Sequence, residues 1–182
     1  MTLTDPGLAP SPASSILTRD DLPALPGREL SSRELRAFVR ELAARPDLWE
    51  KYVRHDGDGR HFVSLYRDAD VDVWLLCWNL EDDTGWHDHD TSAGAVHVTQ
   101  GAVSESRPRL GGTPAVKTVK AGRTIAFGPD HIHRMGGAVD GSVSIHAYSP
   151  PLWRMGQYSI SDSGVMRRFS VSYADELRPL DG

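Results

Sequence analysis

The sequence has a single cysteine, no long apolar run and no excess of basic charge. The one thiol, Cys77, cannot form an internal disulfide, and its place in the apolar run VWLLCW favours a buried packing role over a nucleophilic one. No stretch approaches the length of a transmembrane helix, so we expect no membrane partner. The net charge of -5 argues against binding to nucleic-acid backbones, which depends on clustered Lys and Arg.

The N-terminus also lacks the basic and apolar segments of a signal peptide, so we predict a cytoplasmic protein. The first residues are rich in Pro, Ser and Gly, and we predict a flexible segment over residues 1–30. A length of 182 residues fits one compact domain, which we place at residues 31–175, with a tail at 176–182. We expect the protein to be a monomer.

The secondary-structure pattern changes from helix to strand along the chain. Residues 31–45 carry one apolar helical stripe, with Ser31 and Glu34 as a capping box and Pro46 at the end. From about residue 61 onward, β-branched and aromatic runs alternate with Gly, Pro and Asp. The strand candidates are residues 61–67, 71–80, 95–100, 115–119, 123–127, 142–149 and 155–160. This pattern predicts an all-β fold of the jelly-roll type with a short N-terminal helical segment.

Two pairs of histidines predict a metal site. His87 and His89 in TGWHDHD stand two residues apart, so on an extended segment both imidazoles project to one face. His131 and His133 in PDHIHRM repeat this spacing further along the chain. An isolated pair is often a solvated turn, but a second pair offers the third ligand that a site needs. The residues alone leave the choice between His131 and His133 open.

Three stretches of the sequence resemble the cysteine dioxygenase family of the cupin superfamily: LYRDADVDVWLLCWN, WHDHDTSAGAVHVTQGAVSES, and HRM followed by SIHAYSPP. The resemblance implies the cupin fold, a double-stranded β-helix. Cupins usually carry a glutamate soon after the HxH pair, whereas residues 91–95 contain none. This difference favours a site of three histidines, and the residues after His133 match those after the family's third ligand. His131 is then expected at the rim of the site, and His97 to be an ordinary strand residue.

The activity that the resemblance implies is that of a non-haem iron(II) thiol dioxygenase, which converts L-cysteine and O2 to cysteine sulfinic acid. Three neutral imidazoles leave the ion its full charge and three open positions. Coordination also favours the thiolate, so no strong base is required. Three alternatives stay open: a dioxygenase for another thiol carboxylate such as mercaptopropionate, a non-catalytic metal-binding cupin, and a zinc or manganese cupin isomerase or decarboxylase.

The resemblance assigns four further residues. Arg67 in SLYRD lies at the family's carboxylate-reading position, where the planar guanidinium suits a bidentate partner. Ser144, His146 and Tyr148 alternate along one predicted strand and match the family's relay, in which the tyrosine orients the substrate. Animal members join this tyrosine to a cysteine by a thioether bond. The matching position here is Gly94, so we predict no crosslink.

Overall fold

The structure is a computed structural model that describes residues 15–57, 59–161 and 163–172. Two α-helices come first, α1 (Ser32–Ala43) and α2 (Pro46–Trp49), with single 3-10 turns at Arg19–Asp21 and Glu50–Tyr52. The strands that follow are β1 (His61–Arg67), β2 (Asp72–Trp78), β3 (Trp86–Asp88), β4 (Ala93–Gln100), β5 (Ala102–Arg109), β6 (Gly112–Lys120), β7 (Thr124–Phe127), β8 (Arg134–Gly137), β9 (Ser142–Ser149), β10 (Arg154–Ile160) and β11 (Met166–Ser172). Within the described ranges, no helix is long and apolar enough to cross a membrane.

Helix α1 begins with the predicted capping box. The Ser31 side chain accepts the backbone N–H of Glu34, and the Glu34 carboxylate accepts the backbone N–H of Ser31. The apolar stripe of the helix is buried: Leu35, Phe38, Val39 and Leu42. Pro46 differs from the prediction, because it opens α2 as its first residue, where a missing N–H costs no helical hydrogen bond.

The strands form three sheets. One has five strands in the order β1-β2-β9-β4-β7, and the other two have three strands each, β11-β10-β3 and β6-β5-β8. The prediction of an all-β fold with a short N-terminal helical segment is confirmed. Strands β1 and β9 have the predicted bounds, whereas β3, β5, β8 and β11 were not predicted. These four are short or polar, and such strands lack the apolar periodicity on which the prediction depends.

Each face of the five-stranded sheet carries an apolar core. One face packs against α1 through residues such as Val73, Leu75 and Ile145. The other face carries Trp74 and Trp78 and packs with residues of the two smaller sheets. Because side chains alternate along a strand, the polar residues of β9 that were predicted to share a face point into this second core, between the sheets.

The N-terminal segment is anchored to the first core from residue 15 onward. Leu17, Leu22 and Leu30 are buried there, and the Leu17 N–H donates to the Leu65 carbonyl at 2.8 Å. The Leu30 N–H donates to Ser149 Oγ, also at 2.8 Å. The packed part of the chain therefore begins earlier than the predicted boundary at residue 31. Residues 1–14 and the predicted tail at 176–182 lie outside the described residues.

The capping box predicts a measurable effect on stability. Ser31→Ala removes the acceptor for the Glu34 N–H and should lower the free energy of unfolding by about 1 kcal/mol. Urea denaturation followed by circular dichroism measures the change. Ser32→Ala, one residue inside the helix, is the matched control and should be nearly neutral. Equal losses in the two variants would contradict a capping role for Ser31.

Candidate metal centre

Backbone pairing brings the predicted histidines together. The N–H of His87 donates to the carbonyl of His133 at 2.9 Å, and the N–H of His133 donates to the carbonyl of His87 at 3.0 Å. Ring nitrogens of His87, His89 and His133 lie within 4.8 Å of one another. All three histidines are buried. His97, by contrast, lies on β4 outside this cluster, and its Nδ1 bonds Thr124 Oγ1 at 2.8 Å.

The three rings are uncharged. Burial lowers the pKa of His87 and His89 well below the usual value, and the neighbouring imidazoles act in the same direction. Burial lowers the pKa of His133 as well. Both ring nitrogens of His89 and Nε2 of His133 are buried without a hydrogen-bond partner among the described residues. Because unpaired buried nitrogens cost free energy and neutral imidazoles are common metal ligands, these residues fit a divalent ion.

The three rings are oriented in different ways. His87 Nδ1 bonds the Gly85 carbonyl at 3.1 Å, which leaves Nε2 for an ion. His89 has no such bond, and its ring stacks instead on Phe127 and Tyr148, with centroids 4.9 and 5.0 Å away. Stacking therefore takes the place of a hydrogen bond in fixing this ring.

Glu105, a buried residue of β5, orients His133 and was not predicted. Its Oε1 lies 3.3 Å from His133 Nδ1 and 2.8 Å from His131 Nε2. Burial acts to raise the pKa of Glu105, but the hydrogen bonds from His131 and His133 hold it below its usual range. These three residues also form a second group with metal-ligand geometry. Both histidines bond the same carboxylate oxygen, Oε1. The carboxylate lies on the Nδ1 side of the His133 ring, away from Nε2. His131 thus contacts Glu105, beside the cluster of three.

The relay residues of β9 form a hydrogen-bonded chain. Trp78 Nε1–H, which can only donate, lies 2.8 Å from Ser144 Oγ. The buried Ser144 Oγ lies 2.8 Å from His146 Nε2. Burial lowers the pKa of His146 to about 3, so the ring is neutral. His146 Nδ1 lies 3.1 Å from Tyr148 Oη. The chain of hydrogen bonds therefore links Trp78 to the Tyr148 hydroxyl through Ser144 and His146.

A cavity opens beside His87. Its apolar wall consists of Trp74, Leu76, Met135, Leu152 and Met155. Its polar lining consists of Arg60, Thr84, His87, His146 and Tyr148. Among the described residues that line it, Arg60 is the one Arg or Lys and none is acidic. The guanidinium of Arg60 lies 5.0 Å from the Trp78 ring centroid. The cavity therefore favours a small molecule with a negative group. Arg60 was missed because GDGR has the composition of a loop.

Arg67, which was predicted to bind the substrate carboxylate, is not among the described residues that line this cavity. Its Nη1 is paired with the carboxylate of Asp72, and its Nη2 donates to the Leu152 carbonyl at 2.7 Å. Its guanidinium also lies 5.1 Å from the Trp153 ring centroid. Burial raises the pKa of Asp72 to about 6, and Arg67 opposes that rise. The guanidinium of Arg67 is therefore bonded to Asp72 and Leu152 within the fold and does not line the cavity as described.

Gly94 and Cys77 lie on opposite faces of the five-stranded sheet. A Cβ added to Gly94 would meet the Phe127 ring at 2.4 Å and the Tyr148 ring at 3.1 Å, so the ring of Phe127 fills this space. Cys77 points to the other core, where Arg54 N–H donates to its Sγ at 3.5 Å. The single thiol of the chain is thus separated from Tyr148, in keeping with the predicted lack of a crosslink.

A family sequence model and several solved structures are similar to this chain. The sequence model of the family described as cysteine dioxygenase type I matches residues 24–161. No curated protein matches the chain. Similar solved structures include KdgF from Halomonas sp., with 16% identity, a TM-score of 0.44, and coverage of 53% of this chain and 85% of that one. An RmlC-like cupin from Desulfovibrio desulfuricans shows 15% identity and a TM-score of 0.47, covering 54% and 90%. A protein with a double-stranded β-helix domain from Klebsiella pneumoniae shows 13% identity and a TM-score of 0.48, covering 65% and 91%.

The contact of Glu105 with His133 predicts an effect on metal affinity. Glu105→Met removes the acceptor that fixes the ring, so affinity for cobalt(II) should fall about tenfold to a hundredfold. Glu105→Gln keeps one acceptor oxygen and should lose less. Titration followed by visible absorption measures the affinity, with Ser106→Ala on the same strand as the control. Wild-type affinity in Glu105→Met would show that the carboxylate does not position the ligand.

Proposed function

The chain belongs to the cysteine dioxygenase type I family of the cupin superfamily, and we propose that it is an iron(II) thiol dioxygenase whose favoured substrate is L-cysteine. Membership of the family supports thiol dioxygenase activity. The observation that carries the proposal is the convergence of His87, His89 and His133 within 4.8 Å, with buried nitrogens that the described protein leaves unpartnered. Three imidazoles accept several divalent metals, so the choice of iron rests on the family.

An iron(II) ion held by these three histidines would supply one centre where a thiol and dioxygen meet. The reaction, RSH + O2 → RSO2H, places both oxygen atoms on sulfur, which loses the four electrons that dioxygen gains. The protein contributes an apolar wall that excludes water and a ligand set without charge. Glu105 lies beyond the His133 ring and outside the cluster of three, so among the described residues this cluster includes no carboxylate of the kind that other cupin enzymes use.

Two side chains of the cavity orient the substrate in this proposal. Arg60 supplies the positive charge for the carboxylate and takes the role first assigned to Arg67. Tyr148 offers its hydroxyl to the substrate, and that hydroxyl is hydrogen-bonded to His146. His146 and Ser144 hold the tyrosine in place. Their chain of hydrogen bonds is buried, so its geometry is insulated from solvent.

Mercaptopropionate remains a second candidate substrate for one reason. None of the described residues that line the cavity is acidic, so the protein offers no carboxylate for the ammonium group of cysteine. A thiol carboxylate without an amine would keep its contact with Arg60.

A purely structural metal site is less well supported, because such sites usually have four protein ligands and this cluster has three. The monomeric state, the cytoplasmic location and the absence of a nucleic-acid partner stay predictions.

Removal of one ligand should abolish metal binding and turnover together. In His133→Ala we expect bound iron to fall to background and oxygen uptake with cysteine to stop, because two imidazoles do not hold the ion. Metal analysis and an oxygen electrode measure the two quantities on the same sample. His97→Ala changes a histidine outside the cluster and should keep both. Full iron occupancy with full turnover in His133→Ala would reject the ligand set.

A matched pair of arginine variants separates substrate recognition from folding. Arg60→Gln should lower kcat/KM for cysteine about tenfold to a hundredfold through loss of a charge-assisted contact, and should lower that for cysteamine, which lacks a carboxylate, far less. Arg67→Gln should instead lower the melting temperature, because it leaves buried Asp72 without its guanidinium partner. Steady-state oxygen uptake with both thiols measures the ratio. A changed ratio in Arg67→Gln alone would restore the assignment made from the sequence.

A further inference from the structure

Asp88, the last residue of β3, lies between His87 on that strand and His89 directly after it, and faces away from both. Side chains alternate along a strand, so the imidazoles of His87 and His89 share one side and the Asp88 carboxylate lies on the other. Asp88 is buried, with 7% of its surface exposed. Because β3 has only three residues, the contacts of its last residue, Asp88, help to fix its position.

The Asp88 carboxylate is held mainly by the last described strands, β10 and β11. Arg168 of β11 donates from Nε to Oδ2 at 2.8 Å and from Nη2 to Oδ1 at 3.0 Å, a bidentate ion pair. Tyr158 of β10 donates its hydroxyl to Oδ2 at 2.5 Å. The backbone N–H groups of Gly156 and Asp90 each donate to Oδ1 at 2.9 Å. Both carboxylate oxygens are therefore fixed from several directions.

The backbone of β10 is shaped to admit this ion pair. A Cβ on Gly156 would lie 2.3 Å from Arg168 Nε and 2.5 Å from Asp88 Oδ2, so a side chain at this position would displace the pair. The pairing register places Gly156 opposite both Asp88 and Ser170, and Tyr158 opposite both Trp86 and Arg168. The glycine, the tyrosine and the arginine thus surround one carboxylate. Arg168 lies beyond residue 161, where the match to the family ends.

We propose that Arg168 is a positioning residue, which holds Asp88 and through it fixes the spacing of the proposed ligands on either side of it, His87 and His89. This inference rests on the proposed metal site. A guanidinium fork sets both the distance and the plane of a carboxylate, which a single hydrogen bond does not. Arg168 is partly exposed and Asp88 is buried, so the guanidinium fork holds a buried carboxylate at the end of a short strand.

The test compares iron(II) affinity with the stability of the iron-free protein. Anaerobic titration against a coloured chelator gives the affinity, and the melting temperature is measured without metal. In Arg168→Met we expect iron affinity to fall about tenfold to a hundredfold. Arg168→Lys restores the charge without the fork and should recover part of this loss. Arg167→Gln, on the neighbouring residue that pairs with Ser159, is the matched control and should bind iron like the wild type.

Each outcome decides the proposal. Weaker iron binding in Arg168→Met with partial recovery in Arg168→Lys supports it. Wild-type affinity in Arg168→Met, with or without a lower melting temperature, overturns it and leaves the metal site intact. If Arg168→Met does not fold, Tyr158→Phe and Arg168→Lys decide instead, since each weakens the hold on Asp88, and wild-type affinity in both overturns it. A wild-type protein that binds no iron(II) rejects the metal site, and this inference with it.

Discussion

The reciprocal backbone hydrogen bonds between His87 and His133 are the contact on which the site depends. They form an isolated bridge between β3 and the residue directly before β8, and these two strands belong to different three-stranded sheets. A shift of one residue in this pairing would turn one imidazole away from the cluster, because side-chain direction alternates along an extended chain. The clustered histidines therefore lie where two sheets meet, and the five-stranded sheet closes the candidate site with Tyr148 and the relay behind it.

Neutrality is the second condition that the structure imposes. Positive charge on three imidazoles that lie this close together and this deeply buried would cost free energy. This cost lowers the pKa values of His87, His89 and His133. Each ring is then oriented by different means: a carbonyl for His87, a carboxylate for His133 and aromatic stacking for His89. The carboxylate of Glu105 adds negative charge on the far side of one ring only, so the ion would retain most of its own charge.

The sequence predicted the clustered histidines better than their surroundings. Spacing of two in each histidine pair has a direct geometric meaning and indicates both pairs, while the resemblance to the family selected His133 over His131. Glu105 could not, since a carboxylate in the polar run AVSESRPR has the pattern of a surface strand and becomes buried only when β8 pairs beside it. The sequence also did not separate Arg60 from Arg67. Arg60 directly precedes β1 and Arg67 ends it, and only the pairing of Arg67 with Asp72 across the β1–β2 hairpin shows that Arg67 forms an ion pair within the fold.

The different roles proposed for Arg60 and Arg67 follow from the groups that each arginine contacts. If Arg67 turned towards a ligand, Asp72 would remain fully buried as an unpaired carboxylate, at a cost of several kcal/mol. Arg60 lies directly before β1 on the lining of the cavity, and its contacts include the ring of Trp78 and a long hydrogen bond to the Asp83 carbonyl, 3.4 Å. The guanidinium of Arg67 is thus tied to a buried carboxylate, whereas Arg60 lies where its charge can face a substrate carboxylate. Movement of Arg67 towards a ligand would work against the fold.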